Sequence, residues 1–284
     1  MTSDAQRDVQ EHRLESKFVD QTFRISVWHP PKAAEFEQLP VLYATDGDFF
    51  FGGCTDLARS LQAAQECASF ILVAIGYGSP RAAALLRARD LYTHEVRRYF
   101  HKALQAYAAS QKSSVGVELE TVTHTTDSSE FLRFIQRELV PFINERYRVV
   151  PNDAAYFGYS AGGGFGLRTL CSEPATFKRY LLGSPATSYG AHHYALEWIE
   201  AARRVGLAMD AKLFASVGDL EEMDDGLENC NMVSGFHRLV AELALHPLPG
   251  LTLTWRAFPG ETHASAWSQA FSHGVRALFP PSRV

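Results

Sequence analysis

The stretch from Ala154 to Cys171 constrains this chain more than any other. Ala154 to Gly158 is a short apolar run of strand composition, and Ala161 to Cys171 is rich in small and apolar residues suited to a closely packed helix. Between them lies Gly158-Tyr159-Ser160-Ala161-Gly162. A strand that turns into a helix at one residue forces strained backbone there, and the small residues two positions either side let strand and helix approach without a clash. Gly163, Gly164 and Gly166 extend that permissive surface along the start of the helix. A phosphate-binding turn is the competing reading. A dinucleotide fingerprint would need glycine at 162, 164 and 167, but 167 is leucine, and no G-x-x-x-x-G-K-[ST] occurs.

The flanking sequence supplies the layers that such a turn needs. Lys17 to Trp28 alternates partly and stops at Pro30-Pro31, Leu39 to Thr45 is a compact apolar run ending in Asp46-Gly47-Asp48, and Phe70 to Gly76 is a buried-strand run. Leu57 to Cys67 has helical composition, Arg81 to Tyr107 reads as one or two helices, and Glu130 to Tyr147 is helical, with Ser128 and Ser129 as N-cap candidates and a kink expected at Pro141. Further on, strands are expected over Tyr180 to Gly183, Lys212 to Val217 and Leu251 to Phe258. Helices are expected over 191–205, Asn229 to Leu245 and Ala264 to Phe279. Strands alternating with helices at this spacing predict an α/β fold: a mostly parallel sheet with helices on both faces, in three layers.

The chain has 284 residues, 46% of them hydrophobic and 21% charged, and a formal charge of −5, which excludes a strongly basic nucleic-acid binder. No apolar stretch is long enough to span a bilayer, and Met1 to Glu15 lacks the basic start and apolar run of a secretory signal, so a cytoplasmic protein is expected. We divide it into a polar leader over 1–16 and one domain over 17–284, with an insertion at about 81–127 where Ser and Thr accumulate and periodicity is weak. Cys54, Cys67, Cys171 and Cys230 form no C-x-x-C pair, so reduced buried thiols are expected, with no metal and no cofactor.

A serine hydroxyl attacks nothing until a base takes its proton, so a histidine and an orienting carboxylate should follow Ser160. His263 fits, in the loop between the last strand and the closing helix; the other histidines after the serine are too early or lie on or after helices. The acid belongs in the turn Gly218-Asp219-Leu220-Glu221-Glu222, where three carboxylates compete. Asp219 is nearest the strand end, whereas Glu221, three residues beyond the glycine, is placed to reach back to an imidazole. An oxyanion needs two amides: that of Ala161, after the serine, and that of Gly47 or Asp48 after the strand Leu39 to Thr45, with Asp48 preferred.

Taken together, Leu42 to Asp48, Phe131 to Phe134, Glu138 to Ile143, Tyr147-Arg148, the serine turn, Gly183-Ser184-Pro185, Gly218 to Glu221 and Gly260 to His263 resemble the Putative esterase family of alpha/beta hydrolases. That family includes esterase D, feruloyl esterases and enterochelin or bacillibactin esterases. The resemblance runs from about Phe18 to Phe279 and is nearest to the siderophore-type esterases. It implies Ser160 as nucleophile, His263 as base and Glu221 as acid, although some siderophore-type members work with a serine and histidine dyad. It also implies hydrolysis of a small or medium ester through an acyl-serine, a siderophore-like lactone or an aryl ester being examples. Arg89-Asp90 is similar to an Arg and Asp pair of relatives and is read either as a clamp for an anionic substrate or as a structural ion pair. Trp267, four residues after His263, is read either as lining an acyl or aryl pocket or as core. The expected partner is thus a small-molecule ester, with no nucleic acid and no membrane, and a homodimer is left open. Two rival readings share the fold: an acyltransferase using the same residues, and a non-catalytic binding module.

Overall fold

The computed structural model describes residues 8–30, 37–99, 127–223 and 229–281. Eight strands form one sheet in the order β1-β2-β4-β3-β5-β6-β7-β8, namely β1 (Val9–Ser16), β2 (Gln21–Trp28), β3 (Leu39–Ala44), β4 (Ile71–Gly76), β5 (Val149–Tyr159), β6 (Arg179–Gly183), β7 (Ala211–Gly218) and β8 (Leu251–Phe258). From β4 across to β8 every pairing is parallel, while β1–β2 and β2–β4 are antiparallel.

The sequence pattern explains why helices cover both sides. All six residues of β4 are buried, so this strand cannot face water on either side. Successive side chains alternate between two cores: Val41, Tyr43, Ile71, Val73 and Tyr156 join one, and Leu42, Ala44, Leu72, Ala74 and Phe157 join the other. The second core is closed by α1 (Gly47–Ala63) and the last helix, α8 (Ala266–Leu278), through Cys54, Ala58, Phe271 and Val275. The first is closed by α2 (Pro80–Leu91), α3 (Ser128–Phe134), α4 (Val140–Arg146), α5 (Ala161–Ser172), α6 (Tyr194–Arg204) and α7 (Met232–Leu245), with Phe134, Phe165, Ile199 and Phe236 among its members. This is the α/β-hydrolase type of three-layer architecture that the sequence predicts.

Four local features differ from the sequence reading. Val9–Ser16, inside the expected leader, is an edge strand whose mixed polar and charged residues suit a solvent-facing position. Helix α1 begins at Gly47 rather than Leu57, because Gly47 packs on Ala74 and Ile75 and Gly53 packs under the Trp267 indole; two low-propensity glycines therefore sit in this helix for reasons of contact, while Gly52 faces open space. Asp127, not Ser128 or Ser129, caps α3, in a reciprocal box with Glu130. The kink expected at Pro141 is taken up by a π turn over Ile135–Leu139 that joins α3 to α4, where a regular helix would press the proline ring on the preceding turn. In the expected insertion, α2 and helical turns over 94–99 are described, and 100–126 lies outside the described residues.

Candidate active site

Three non-glycine residues with left-handed φ stand at the carboxyl ends of three adjacent strands: Asp46 (58°) after β3, Ser160 (58°) after β5 and Ser184 (41°) after β6. At Ser160 the ψ of −118° turns the chain from β5 directly into α5. Backbone bonds hold it there. The Ser160 amide donates to Gly183 O at 3.0 Å, and the Ser160 carbonyl accepts from Gly164 and Ala186 at 3.0 Å each. A Cβ on Gly158 would strike the Gly162 carbonyl, and one on Gly162 would strike Thr45 Oγ1, so the turn closes only with glycine at both places.

Closing in this way brings the first turns of α1 and α5 together. The Tyr156 hydroxyl donates to Gly162 O at 2.8 Å and lies 3.1 Å from Thr45 Oγ1, tying the two helix starts. Ala161 and Asp48 are first-turn residues, whose amides have no acceptor within their own helices, and both helix dipoles present their positive ends here. The Asp48 carboxylate is engaged elsewhere, accepting from Arg24 Nη2 at 2.8 Å and from the Tyr77 amide at 2.5 Å.

The three carboxylates after β7 have different occupations. Glu221 is wholly buried (0% exposed), and its Oε2 lies 2.7 Å from His263 Nδ1. Its Oε1 accepts from the Gly218 amide at 2.6 Å and from Ser184 Oγ at 2.5 Å. A Cβ on Gly218 would run into the Glu261 carbonyl and stand 3.0 Å from that same Oε1, which is why a glycine ends the strand. Asp219 accepts from the Gly260 amide at 2.7 Å and so shapes the loop that carries His263. Glu222 accepts from the amides of Val233 and Ser234 at 2.8 and 2.6 Å at the start of α7. Partial burial raises the Glu222 pKa, but the Ser234 hydroxyl, which donates to Oε1 at 2.6 Å, together with these two amides outweighs it and holds the carboxyl below its ordinary value.

With Glu221 accepting, Nδ1 of a neutral His263 carries the proton and Nε2 is left as the acceptor. Tyr159 steadies the same histidine: its hydroxyl donates to His263 O at 2.8 Å, and its ring centroid lies 5.0 Å from that of the imidazole. Burial, reinforced by the charge of Glu221, pushes the Tyr159 pKa up, so the phenol keeps its proton.

Ser160 and His263 open on one cavity of about 340 Å³, lined also by Phe49, Phe50, Ala84, Arg87, Tyr159, Ala264 and Trp267. Trp267 stacks obliquely on Phe50 with ring centroids 5.3 Å apart. Arg89 is not brought to the cavity. It is 2% exposed and paired with the buried Asp90 through bonds of 2.6 and 2.9 Å, and the Tyr77 hydroxyl donates to the same carboxylate at 2.8 Å. This is the structural ion pair. The arginine at the cavity is Arg87, whose guanidinium holds Asp46 with both prongs at 2.7 and 2.9 Å. Sequence reasoning missed it, although helical spacing offered a signal: residues 87 and 89 lie on different faces of α2, and Arg87 shares the face of Ala84. Among the described residues, no three or more His, Cys, Asp or Glu side chains are grouped to hold a metal ion, and no helix is long and apolar enough to cross a membrane.

A layered α/β fold with a serine, a histidine and a buried carboxylate gathered at its strand ends defines a class, and comparison places the chain within it. The chain belongs to the Putative esterase family, whose model matches residues 16–278. Ferri-bacillibactin esterase BesA of Bacillus subtilis is 24% identical over 272 residues, covering 94% of this chain and 88% of that protein. The siderophore triacetylfusarinine C esterase of Aspergillus fumigatus is 26% identical over 271 residues, covering 85% and 82%. In fold, the chain is similar to the siderophore hydrolase EstA of Aspergillus nidulans, with a TM-score of 0.77 at 21% identity over 100% of this chain and 98% of that one. It is also similar to the BES protein of Bacillus cereus, with a TM-score of 0.74 at 22% identity over 97% and 95%. The family assignment makes this protein an ester hydrolase on an α/β-hydrolase fold.

Proposed function

We propose that the protein is a serine esterase working through an acyl-enzyme, with Ser160 as nucleophile, His263 as base and Glu221 as acid. The observation that carries this reading is the buried Glu221, 2.7 Å from His263 Nδ1, on a histidine that shares one cavity with a serine held at φ 58°. His263 Nε2 takes the Ser160 proton as Oγ attacks the ester carbonyl, and Glu221 stabilises the imidazolium that forms. The amides of Ala161 and Asp48 receive the oxyanion. His263 then protonates the departing alkoxide, and in the second half it deprotonates the water that releases the acid.

The cavity supports esters with a flat apolar acyl or alkyl part, because the rings of Phe49, Phe50, Tyr159 and Trp267 line it. The relatives named for siderophores make an aryl ester or a siderophore-like lactone the substrate class to try first. The test is hydrolysis of p-nitrophenyl acetate and butyrate, together with mass spectrometry after fluorophosphonate treatment. The wild type should carry one adduct, on Ser160, and Ser160→Ala and His263→Ala should lose turnover. Wild-type turnover by Ser160→Ala would exclude this serine as the nucleophile.

A further inference from the structure

The left-handed residue at the end of β6 has no part in the scheme above. Ser184 is 1% exposed, stands at φ 41° although it is not glycine, and is pinned by its amide, which donates to Ser216 O at 2.7 Å. A side chain rarely holds this conformation without a contact that selects it. The contact is with the carboxylate: Ser184 Oγ lies 2.5 Å from Glu221 Oε1 and 3.1 Å from the Tyr159 hydroxyl. One hydroxyl proton cannot serve both. The shorter bond, to the charged acceptor, takes it, and the Tyr159 proton is committed to His263 O at 2.8 Å.

We infer that Ser184 is a positioning residue for the reaction, acting through Glu221 and fixing the rotamer in which Oε2 meets His263. The inference rests on the serine-esterase reading. Glu221 Oε1 has two donors, Ser184 Oγ and the Gly218 amide at 2.6 Å. The amide is rigid and approaches from the glutamate's own turn, so it restrains the carboxylate from one side only. Ser184 comes from β6, the neighbouring strand, and restrains it from the other. With the hydroxyl removed, Oε1 can swing toward the vacated space, and the alignment of Oε2 with Nδ1 loosens. Neither Ser184 nor Glu221 lines the cavity, so substrate binding should not sense the change.

Two variants separate the hydroxyl from the backbone. Ser184→Ala and Ser184→Gly both lose the hydroxyl, but glycine adopts φ 41° freely. The expected result is a fall of about 10- to 100-fold in kcat for p-nitrophenyl butyrate in both variants, KM within about twofold, and cooperative melting in both, with Ser184→Ala melting below Ser184→Gly because alanine keeps the strained φ without the bond that offsets it. In a Glu221→Gln background, the same substitutions should change kcat less than about twofold, because the group through which Ser184 acts has already been disabled. Wild-type kcat in either variant, or full activity in Ser184→Gly with loss only in Ser184→Ala, would overturn the inference, as would a full additional loss in the Glu221→Gln background. Fluorophosphonate labelling of the wild type is run alongside. An unlabelled Ser160 would remove the serine-esterase reading itself, and a labelled one with unimpaired Ser184 variants would remove only this inference.

Discussion

Changing Glu221 to glutamine should disable the proposed reaction through a proton on the wrong nitrogen, with little loss of structure. Oε1 faces two donors, the Gly218 amide at 2.6 Å and Ser184 Oγ at 2.5 Å, and Oε2 faces His263 Nδ1 at 2.7 Å. A glutamine has one oxygen and one amide nitrogen to place. If the NH2 took the Oε1 position, it would confront the Gly218 N–H, which cannot turn away, so the carbonyl oxygen goes there and the NH2 points at Nδ1. An NH2 can only donate, which forces the imidazole proton onto Nε2, where the Ser160 proton must go. The loss expected for such a tautomer error is about 10⁴-fold in kcat, or about 5.5 kcal/mol of transition-state stabilisation. Asp219→Asn keeps an oxygen for its single bond to Gly260 and should fall within a few-fold of wild type. Glu222→Gln, which weakens the bonds at the start of α7, should cost about 1 kcal/mol of stability and leave kcat nearly intact. The assay is steady-state hydrolysis of p-nitrophenyl butyrate by the three variants, each checked by thermal melting. A Glu221→Gln enzyme retaining more than about a tenth of wild-type kcat, with Asp219→Asn crippled, would refute the reasoning and move the acid to Asp219.

Two further predictions concern stability. Arg87→Ala strands the buried Asp46 carboxylate without its two-pronged partner, so it should destabilise the protein by about 3 kcal/mol, seen as a melting temperature lower by roughly 6–12 °C; an unchanged melt would show that water replaces the guanidinium at no cost. The second concerns the thiols, because burial raises Cys67 and Cys230 to about 11 and Cys171 to about 12. Above pH 9 the unfolded chain releases these protons while the native state keeps them, so their contribution is complete below pH 9 and is lost as pH rises through 11 to 12. Urea unfolding at pH 8 and pH 10.5 should show lower stability at the higher pH, with a smaller drop when these three cysteines are replaced by alanine, the remainder coming from buried groups such as Cys54 and Tyr43 whose pKa values burial also raises; a drop of the same size in that variant would assign it wholly to other groups.

The sheet was legible because its central strands are buried on both faces, and a run such as Ile71–Gly76 has few other ways to exist. The Ser160 turn was legible because glycine at 158 and 162 answers two particular collisions, which a sequence motif records directly. Contacts between distant segments left weaker traces. Nothing in Gly47-Asp48-Phe49-Phe50-Phe51-Gly52-Gly53 has the composition of a helix, and Gly47 and Gly53 make sense only once β4 and Trp267 lie against them. Arg87 and Arg89 are equivalent as letters. What separates them is which face of α2 meets Asp46 and which meets the core, and that depends on how α2 sits against the strand ends.

The strained residues explain why the strand ends, more than the cavity wall, define this site. Asp46, Ser160 and Ser184 each occupy a conformation that costs of order 1–3 kcal/mol. Each is offset by a bond specific to its place: the Arg87 fork, the backbone bonds to Gly183, Gly164 and Ala186, and the Glu221 carboxylate. Three such costs on adjacent strands fix the spacing of the proposed oxyanion loop, nucleophile and acid to one another, independently of what the cavity holds. The wall is built differently. Phe49, Phe50, Ala84, Arg87 and Trp267 come from helices α1, α2 and α8, and of these Arg87, on Asp46, and Phe50, edge-on against Tyr159 with ring centroids 5.7 Å apart, bear on the turns themselves. Substrate range should therefore be tunable at Phe49 and Trp267 with the reaction geometry intact, whereas a change at Arg87 or Phe50 alters both.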